Sequence, residues 1–469
     1  MSLSGASSRN KTLAAYGVML LLAIGLYFLI RSHGLTLSAP EPTELAHRSS
    51  PKPPSHVLLH VLLALAVVTV ASRALGMLFR LIRQPPVIGE VIAGILLGPS
   101  LLGAFAPGAQ EFLFGGGIAQ YLGIVAQVGV ILFMFLVGLE LDTRTLRERS
   151  HTTIAISHAS IVLPFLLGAL LALFLYPRLS SDAVGFTNFS LFMGVSLSVT
   201  AFPVLARILT DSGLSRSTLG VVSLACAAVD DATAWCLLAL VVGIVRANSS
   251  SSFVTLALTV VYVSVMLFFL RPLVQRWVQR VEVVGKLRQG ASAVVLIGLL
   301  LSALATEAIG IHALFGAFLL GAIVPHESLL AREMTRRLED FVVVLLLPAF
   351  FAFTGLRTQI GLLHGVTDWL YCGAIILVAS IGKFCGSALA ARFGGFGWRD
   401  ACSLGVLMNT RGLMELIVLN VGFELGVISP RLFAMLVIMA VVTTFATAPL
   451  LQLLNPSLRL GAAVGSPAR

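Results

Sequence analysis

"LACAAVDDATAWCLLAL", Leu224 to Leu240, sets two adjacent carboxylates, Asp230 and Asp231, in the middle of a run that otherwise reads as membrane. A charged side chain at bilayer depth costs about 2.5–3.5 kcal/mol on insertion scales and marks a functional position by default. Neighbours on a helix point about 100° apart, so the two carboxylates cannot both face one site squarely. One can meet an aqueous cavity while the other meets a neighbouring helix.

The rest of the chain fits a membrane reading. It is 58% hydrophobic and 11% charged, against about 25% charged for a soluble domain. The net charge of +10 belongs to loops, because Lys and Arg concentrate on the cytoplasmic side. No basic soluble domain exists to bind nucleic acid. Cys226, Cys236, Cys372, Cys385 and Cys402 all lie in apolar segments without a CxxC pair, and read as small core hydrophobes. The histidines form no ligand cluster; His158 and His312 read as packing or locally bonded groups.

Runs long enough to span, roughly 17–25 residues each, begin with Leu13 to Ile30. With Arg9 and Lys11 ahead of it, that run is a signal peptide or an uncleaved anchor, and its long apolar core favours the anchor. Residues 1–37 therefore form one unit, and the Pro/Ser-rich stretch 38–56 is a linker. Thirteen more segments follow: 57–82, 85–103, 119–141, 152–176, 189–210, 217–245, 253–279, 288–306, 309–325, 341–356, 367–391, 401–422 and 431–454. The second, fifth, ninth and twelfth are rich in Gly, Pro or polar residues and should be bent or interrupted.

With the start of the first of these thirteen outside, inside loops hold 21 Lys and Arg and outside loops hold 7. Arg73, Lys383 and Arg411 lie within segments. A helix too many or too few would invert this alternation. The C-terminal stretch 455–469 then reads as a short cytoplasmic tail. No GxxxxGK[ST] is present, so nothing points to ATP-driven transport.

Lys383, in "VASIGKFCGSAL", is the natural counter-ion for one aspartate, and Arg411 and Glu415 are the other intramembrane charges. "SLSVTAFPVLARIL" places Thr200, Ala201, Phe202 and Pro203 at the centre of the fifth segment. "GVLMNTRGLMELIVL" places Asn409, Thr410, Arg411 and Gly412 near the middle of the twelfth. Pro removes a donor and disfavours helix just before it. Irregular backbone at membrane depth survives only where it lines a cavity or is buried in protein. Segments one to six and eight to thirteen form two halves joined by an odd helix, so the halves run in opposite orientations. The two interrupted segments are each fifth in their half, the mark of an inverted-repeat transporter. Thr200 and the unwound backbone offer oxygens suited to a hard cation. Arg411 and Glu415 are candidates to balance the half-helix dipoles.

"QPPVIGEVIAGILLGPSLLG", "LFMFLVGLELD", "VTAFPVLARIL", "AAVDDATAW", "GIHALFGAFLLG", "LEDFVVVLLLPAFFAFTGL", "IGKFCGSALA" and "LMNTRGLMELIVLNVG" together resemble the membrane domain of the monovalent cation:proton antiporter-2 family. That family includes Kef-type proteins and plant cation/proton exchangers, and the resemblance covers about residues 57–454. It implies an all-α, thirteen-helix fold with two broken, crossing helices. It implies scaffold helices in 57–141 and 288–360, core helices in 152–245 and 367–454, and a linker helix at 253–279. It also implies a homodimer, a cation and proton site at Asp231, and an Asp230–Lys383 pair. Many plant exchangers carry Asn where Asp230 stands, and Kef-type proteins carry a nucleotide-binding tail that does not follow here, so gating by such ligands is not expected.

The function expected is exchange of K+ or Na+ for protons across a membrane by alternating access, in a bacterial inner membrane. A carboxylate removed from water is neutralised by a proton or by a cation, not comfortably by both, and that competition couples the two flows. No enzymatic step, cofactor or metal beyond the transported cation is called for; the partners are the ions and membrane lipids. Two other classes compete: a proton-regulated K+ efflux pathway, and a non-transporting sensor or assembly subunit. Two carboxylates and Lys383 offer two proton sites against one cation site, which predicts electrogenic exchange.

Overall fold

The computed structural model describes residues 3–37, 57–82, 84–115, 117–140, 151–214, 217–246, 252–282 and 290–454. The linker at 38–56, the tail at 455–469 and several loop cations counted above, among them Arg144, Arg147, Arg149, Lys286 and Arg288, lie outside the described residues.

In chain order the helices are α1 (Leu3–Gly34), α2 (Val57–Leu81), α3 (Pro86–Leu97), α4 (Leu102–Phe105), α5 (Pro107–Phe114), α6 (Ile118–Glu140), α7 (His151–Leu179), α8 (Phe186–Ser198), α9 (Phe202–Asp211), α10 (Thr218–Arg246), α11 (Ser252–Ser264), α12 (Arg271–Glu282), α13 (Ala291–Ile309), α14 (Ala313–Ile323), α15 (Leu329–Phe341), α16 (Leu347–Arg357), α17 (Val366–Phe393), α18 (Trp398–Met408), α19 (Leu413–Glu424) and α20 (Pro430–Leu454). One π-helical turn, Val265–Leu270, joins α11 to α12, and another, Val342–Leu346, joins α15 to α16. No strand occurs among the described residues.

Twelve spans among the described residues are long and apolar enough to cross a membrane, counting α3 with α4, α8 with α9, α11 with α12 and α15 with α16 as one span each. The pair α18 and α19, bent by 44°, and the shorter apolar α14 complete the set. Every one of the thirteen segments, and the N-terminal run, therefore has a helix. The main departure is the tenth segment, which begins at Leu329 rather than residue 341. Its first half carries Arg332, Glu333, Arg336 and Arg337, too much charge to register as apolar. The second segment stops at Leu97, and the short helices α4 and α5 follow it.

The heaviest packing falls into two groups. One joins α7, α8, α10, α17, α18 and α20; the other joins α2, α3, α6, α13, α14 and α16. In lipid, where apolar burial gives little drive, small residues let helices approach closely. Gly94 of α3 lies against the backbone of α16 at Gly355, and Gly138 of α6 against Gly321 of α14; a methyl group at any of the four would meet main-chain atoms. The additional helix α1 packs on α7 and α8. The Tyr27 hydroxyl is 3.2 Å from Ser190 Oγ, and Arg31 Nε donates to Thr187 Oγ1 at 3.0 Å.

Candidate functional site

Between α8 and α9, Val199 and Ala201 are extended. Pro203 sits in the first turn of α9, where its missing N–H is not needed. Between α18 and α19 the chain leaves the helix over Asn409, Thr410, Arg411 and Gly412. The two breaks cross. The Ala201 amide donates to the Thr410 carbonyl at 3.0 Å. Gly412 lies against Val204 and Ala201, and a side chain there would meet Val204.

Each helix end carries a partial charge of about half a unit, and charged side chains answer three of the four ends at this crossing. The C-terminal end of α8 presents carbonyls to Arg411: Nη1 donates to Ser196 O at 2.8 Å and Nη2 to Leu197 O at 2.7 Å. Glu415, in the first turn of α19, accepts from Arg411 Nη1 at 2.7 Å. Asp231 accepts from the Phe202 amide at the start of α9. At the end of α18 the Thr200 hydroxyl reaches Met408 O at 3.1 Å. Arg411 is also held by its own backbone, which exchanges hydrogen bonds with Thr444 of α20.

Asp230 points to the interface of α7 and α17. Lys383 Nζ donates to its Oδ2 at 2.9 Å, and neither side chain exposes any surface. Ser157 donates to Oδ1 at 2.5 Å and Ser160 to Oδ2 at 2.7 Å. Thr200 Oγ1 lies 2.8 Å from Oδ2 and accepts from Lys383 Nζ at 2.6 Å. A buried charge is tolerated when paired and hydrogen-bonded, and Asp230 is both.

Asp231 is different. It is buried, and its Oδ1 has no hydrogen-bond partner. A buried oxygen left without a donor is costly unless something else binds it. The two adjacent carboxylates thus have unlike surroundings: one is neutralised inside the protein, and the other keeps an unused acceptor at the helix break.

Thr200, read from sequence as an ion ligand, has its hydroxyl within hydrogen-bond distance of Lys383 Nζ, Asp230 Oδ2 and Met408 O. Asn409 bonds weakly to Ser380 at 3.4 Å, and its Oδ1 has no partner. His158 makes the local bond its position suggests, to Ile154 O at 2.8 Å. Ser157 and Ser160 were not singled out by the sequence; the only signal was two hydroxyls three residues apart in an apolar segment. Nor were the carbonyls of Ser196 and Leu197, which no side-chain pattern can reveal.

The family model described as "Sodium/hydrogen exchanger, transmembrane" matches residues 59–453. The chain belongs to the sodium/hydrogen exchanger family. Within it, the chain is 44% identical over 405 residues to the Na(+)/H(+) antiporter NhaS4 of Synechocystis, covering 86% of this chain and 99% of that one. It is 39% identical to Cation/H(+) antiporter 20 of Arabidopsis thaliana over 82% of this chain, and 36% identical to K(+)/H(+) antiporter 1 of Saccharomyces cerevisiae over 81% of it. It spans about half the length of these two, 47% and 44%. The sodium proton antiporter MjNhaP1 of Methanocaldococcus jannaschii superposes with a TM-score of 0.63 at 13% identity, over 87% of this chain and 100% of that one. That likeness is one of fold, and it is the all-helical inverted-repeat antiporter fold the sequence led us to expect.

Proposed function

We propose that this exchanger-family chain is a secondary carrier that swaps a monovalent cation for protons by alternating access, with Asp231 as the site both ions share. The observation that carries the proposal is the buried Asp231 carboxylate at the break before α9, with one oxygen unpartnered, beside an Asp230 already neutralised by Lys383. A proton or a cation can each neutralise Asp231, but an empty charged site would resist crossing the low-dielectric interior. Na+ and K+ both suit oxygen ligands, and the relatives above are named for either cation.

In this reading the group built on α7, α8, α10, α17, α18, α19 and α20 moves as the core. The group built on α2, α3, α6, α13, α14 and α16 stays fixed as the scaffold and forms a homodimer. The Lys and Arg count supports an orientation with the ends bearing Arg178, Arg246, Arg357 and Arg431 outside and the C-terminus in the cytoplasm, and the membrane we propose is a bacterial inner membrane. The polar contacts of Tyr27 and Arg31 support α1 as a retained anchor riding on the core; the N-terminal mass of the purified protein checks this.

Proteoliposomes with an imposed ΔpH test the exchange. Addition of Na+, K+, Li+ or Rb+ should dissipate the gradient saturably for at least one cation. A correctly inserted protein that leaves ΔpH untouched by all four, or that passes K+ without moving protons, would overturn the proposal.

A further inference from the structure

A cavity of about 340 Å³ opens between α19 on one side and α6, α14 and α16 on the other. Its polar lining comprises Gln127, Arg246, Glu307, His312, Asn420 and Glu424. None of these belongs to the Asp230–Asp231 site.

Glu424, at the far end of α19 from Arg411, meets all three facing helices. Arg357 Nη1 at the end of α16 lies 2.9 Å from its Oε1. Gln127 Nε2 of α6 lies 3.5 Å from the same oxygen. His312 Nε2, at the start of α14, lies 3.8 Å from Oε2. Asn420, one turn earlier on α19, accepts from Arg357 at 3.2 Å and donates to Thr354 of α16 at 2.8 Å. Arg357 is further held over the Phe353 ring at 3.9 Å and lies 5.3 Å from that of Phe423.

Two features set this cluster apart. First, His312 is the only non-glycine residue with positive φ, 82°, among the described residues. Backbone strain of this kind persists only where surrounding structure over-determines it, and here it aims a ring at Glu424. Second, the buried pairs Lys383–Asp230 and Arg411–Glu415 expose nothing, whereas Arg357 and Glu424 expose 23% and 27% of their side chains. A fully buried pair is costly to separate. A pair about a quarter exposed is strong enough to hold two elements together and cheaper to release, because water can reach it and take over its partners.

We infer that Glu424, with Arg357, Asn420 and His312, is a latch that ties α19 to α6, α14 and α16 and holds the carrier in the conformation with this cavity open. The latch rests on the alternating-access reading above. Glu424 and Arg357 are positioning residues: they act by setting how often α19 sits in this register against α6, α14 and α16, the register that leaves the cavity open, and not by reacting with substrate.

The test is accessibility, which does not need transport. In the full chain carrying Ile131→Cys, on the cavity wall, labelling of position 131 by a membrane-impermeant maleimide is read by peptide mass. Adding Glu424→Gln or Arg357→Gln should slow labelling about 5-fold or more, the usual lower range for coupling between two conformations. The exchanged pair, Glu424→Arg with Arg357→Glu, should restore it, which a merely structural loss would not. If one single variant fails to fold, the other and His312→Gln carry the same comparison. Unchanged labelling in the folded single variants, or no recovery in a folded exchanged pair, overturns the latch. A wild-type chain that exchanges no ions yet shows latch-dependent labelling would overturn the proposed function and leave the latch standing.

Discussion

Lys383 Nζ lies 2.9 Å from Asp230 Oδ2, and both side chains are completely buried. Lys383 is also among the largest fully buried side chains in the protein. Lys383→Ala therefore strands a carboxylate and leaves a cavity, while Asp230→Asn keeps the shape of the site. Breaking a buried pair from one side costs about 3–5 kcal/mol, and a cavity adds to that. The melting temperature in detergent should fall further for Lys383→Ala than for Asp230→Asn. Equal melting of wild type and Lys383→Ala would mean the pair contributes no stability.

Arg411 makes a three-way contact that no other side chain can copy. Its guanidinium reaches Ser196 O, Leu197 O and Glu415 at once, and a lysine ammonium lacks that planar fork. Arg411→Lys should destabilise the fold and lower exchange. Glu415→Gln should be milder, because one Glu415 oxygen already lacks a partner and the amide still accepts from Arg411. A Glu415→Gln variant melting below Arg411→Lys would contradict this order.

Thr200 gives a way to separate positioning from ligation. Its hydroxyl accepts from Lys383 and faces Asp230. Thr200→Ser should keep exchange, and Thr200→Val should cut the maximal rate with little change in apparent cation affinity. A loss of affinity or a changed order among Na+, K+ and Li+ in Thr200→Val would instead make Thr200 a cation ligand.

Ser157, Ser160 and Thr200 surround Asp230 with hydroxyls beside Lys383. If the cation displaces one proton from Asp231 and a second leaves Lys383, more than one proton moves per cation and exchange would be electrogenic. A diffusion potential across proteoliposomes, set with an ion the carrier does not move, should then shift both rate and equilibrium point. Insensitivity of both would make Asp230–Lys383 a structural pair and exchange one for one.

Hydropathy was enough to locate the spanning segments, because a bilayer admits few alternatives to long apolar helices. Pro203 and the Asn409–Gly412 stretch marked the breaks for the same reason: irregular backbone cannot hide in lipid. The start of the tenth segment was illegible because α15 is amphipathic, and its charges mask its continuity with α16. The partners of Asp230 were illegible for a different reason. Which serine meets which carboxylate depends on how α7, α10 and α17 are rotated against one another, and Ser157 and Ser160 look like any small residues in a membrane helix. The Glu424 cluster was missed because His312, Arg357 and Glu424 lie at least 45 residues apart on different segments, and only the packed fold joins them.

The claim that Asp231 is the shared site is tested most directly by Asp231→Asn in the ΔpH dissipation assay. Asn keeps the size of the side chain and can still accept from the Phe202 amide, but it can hold neither a proton nor a cation by charge. The variant should insert and melt like wild type and show no cation-dependent ΔpH dissipation with Na+, K+, Li+ or Rb+. Near-normal dissipation in folded Asp231→Asn would contradict the account at its centre.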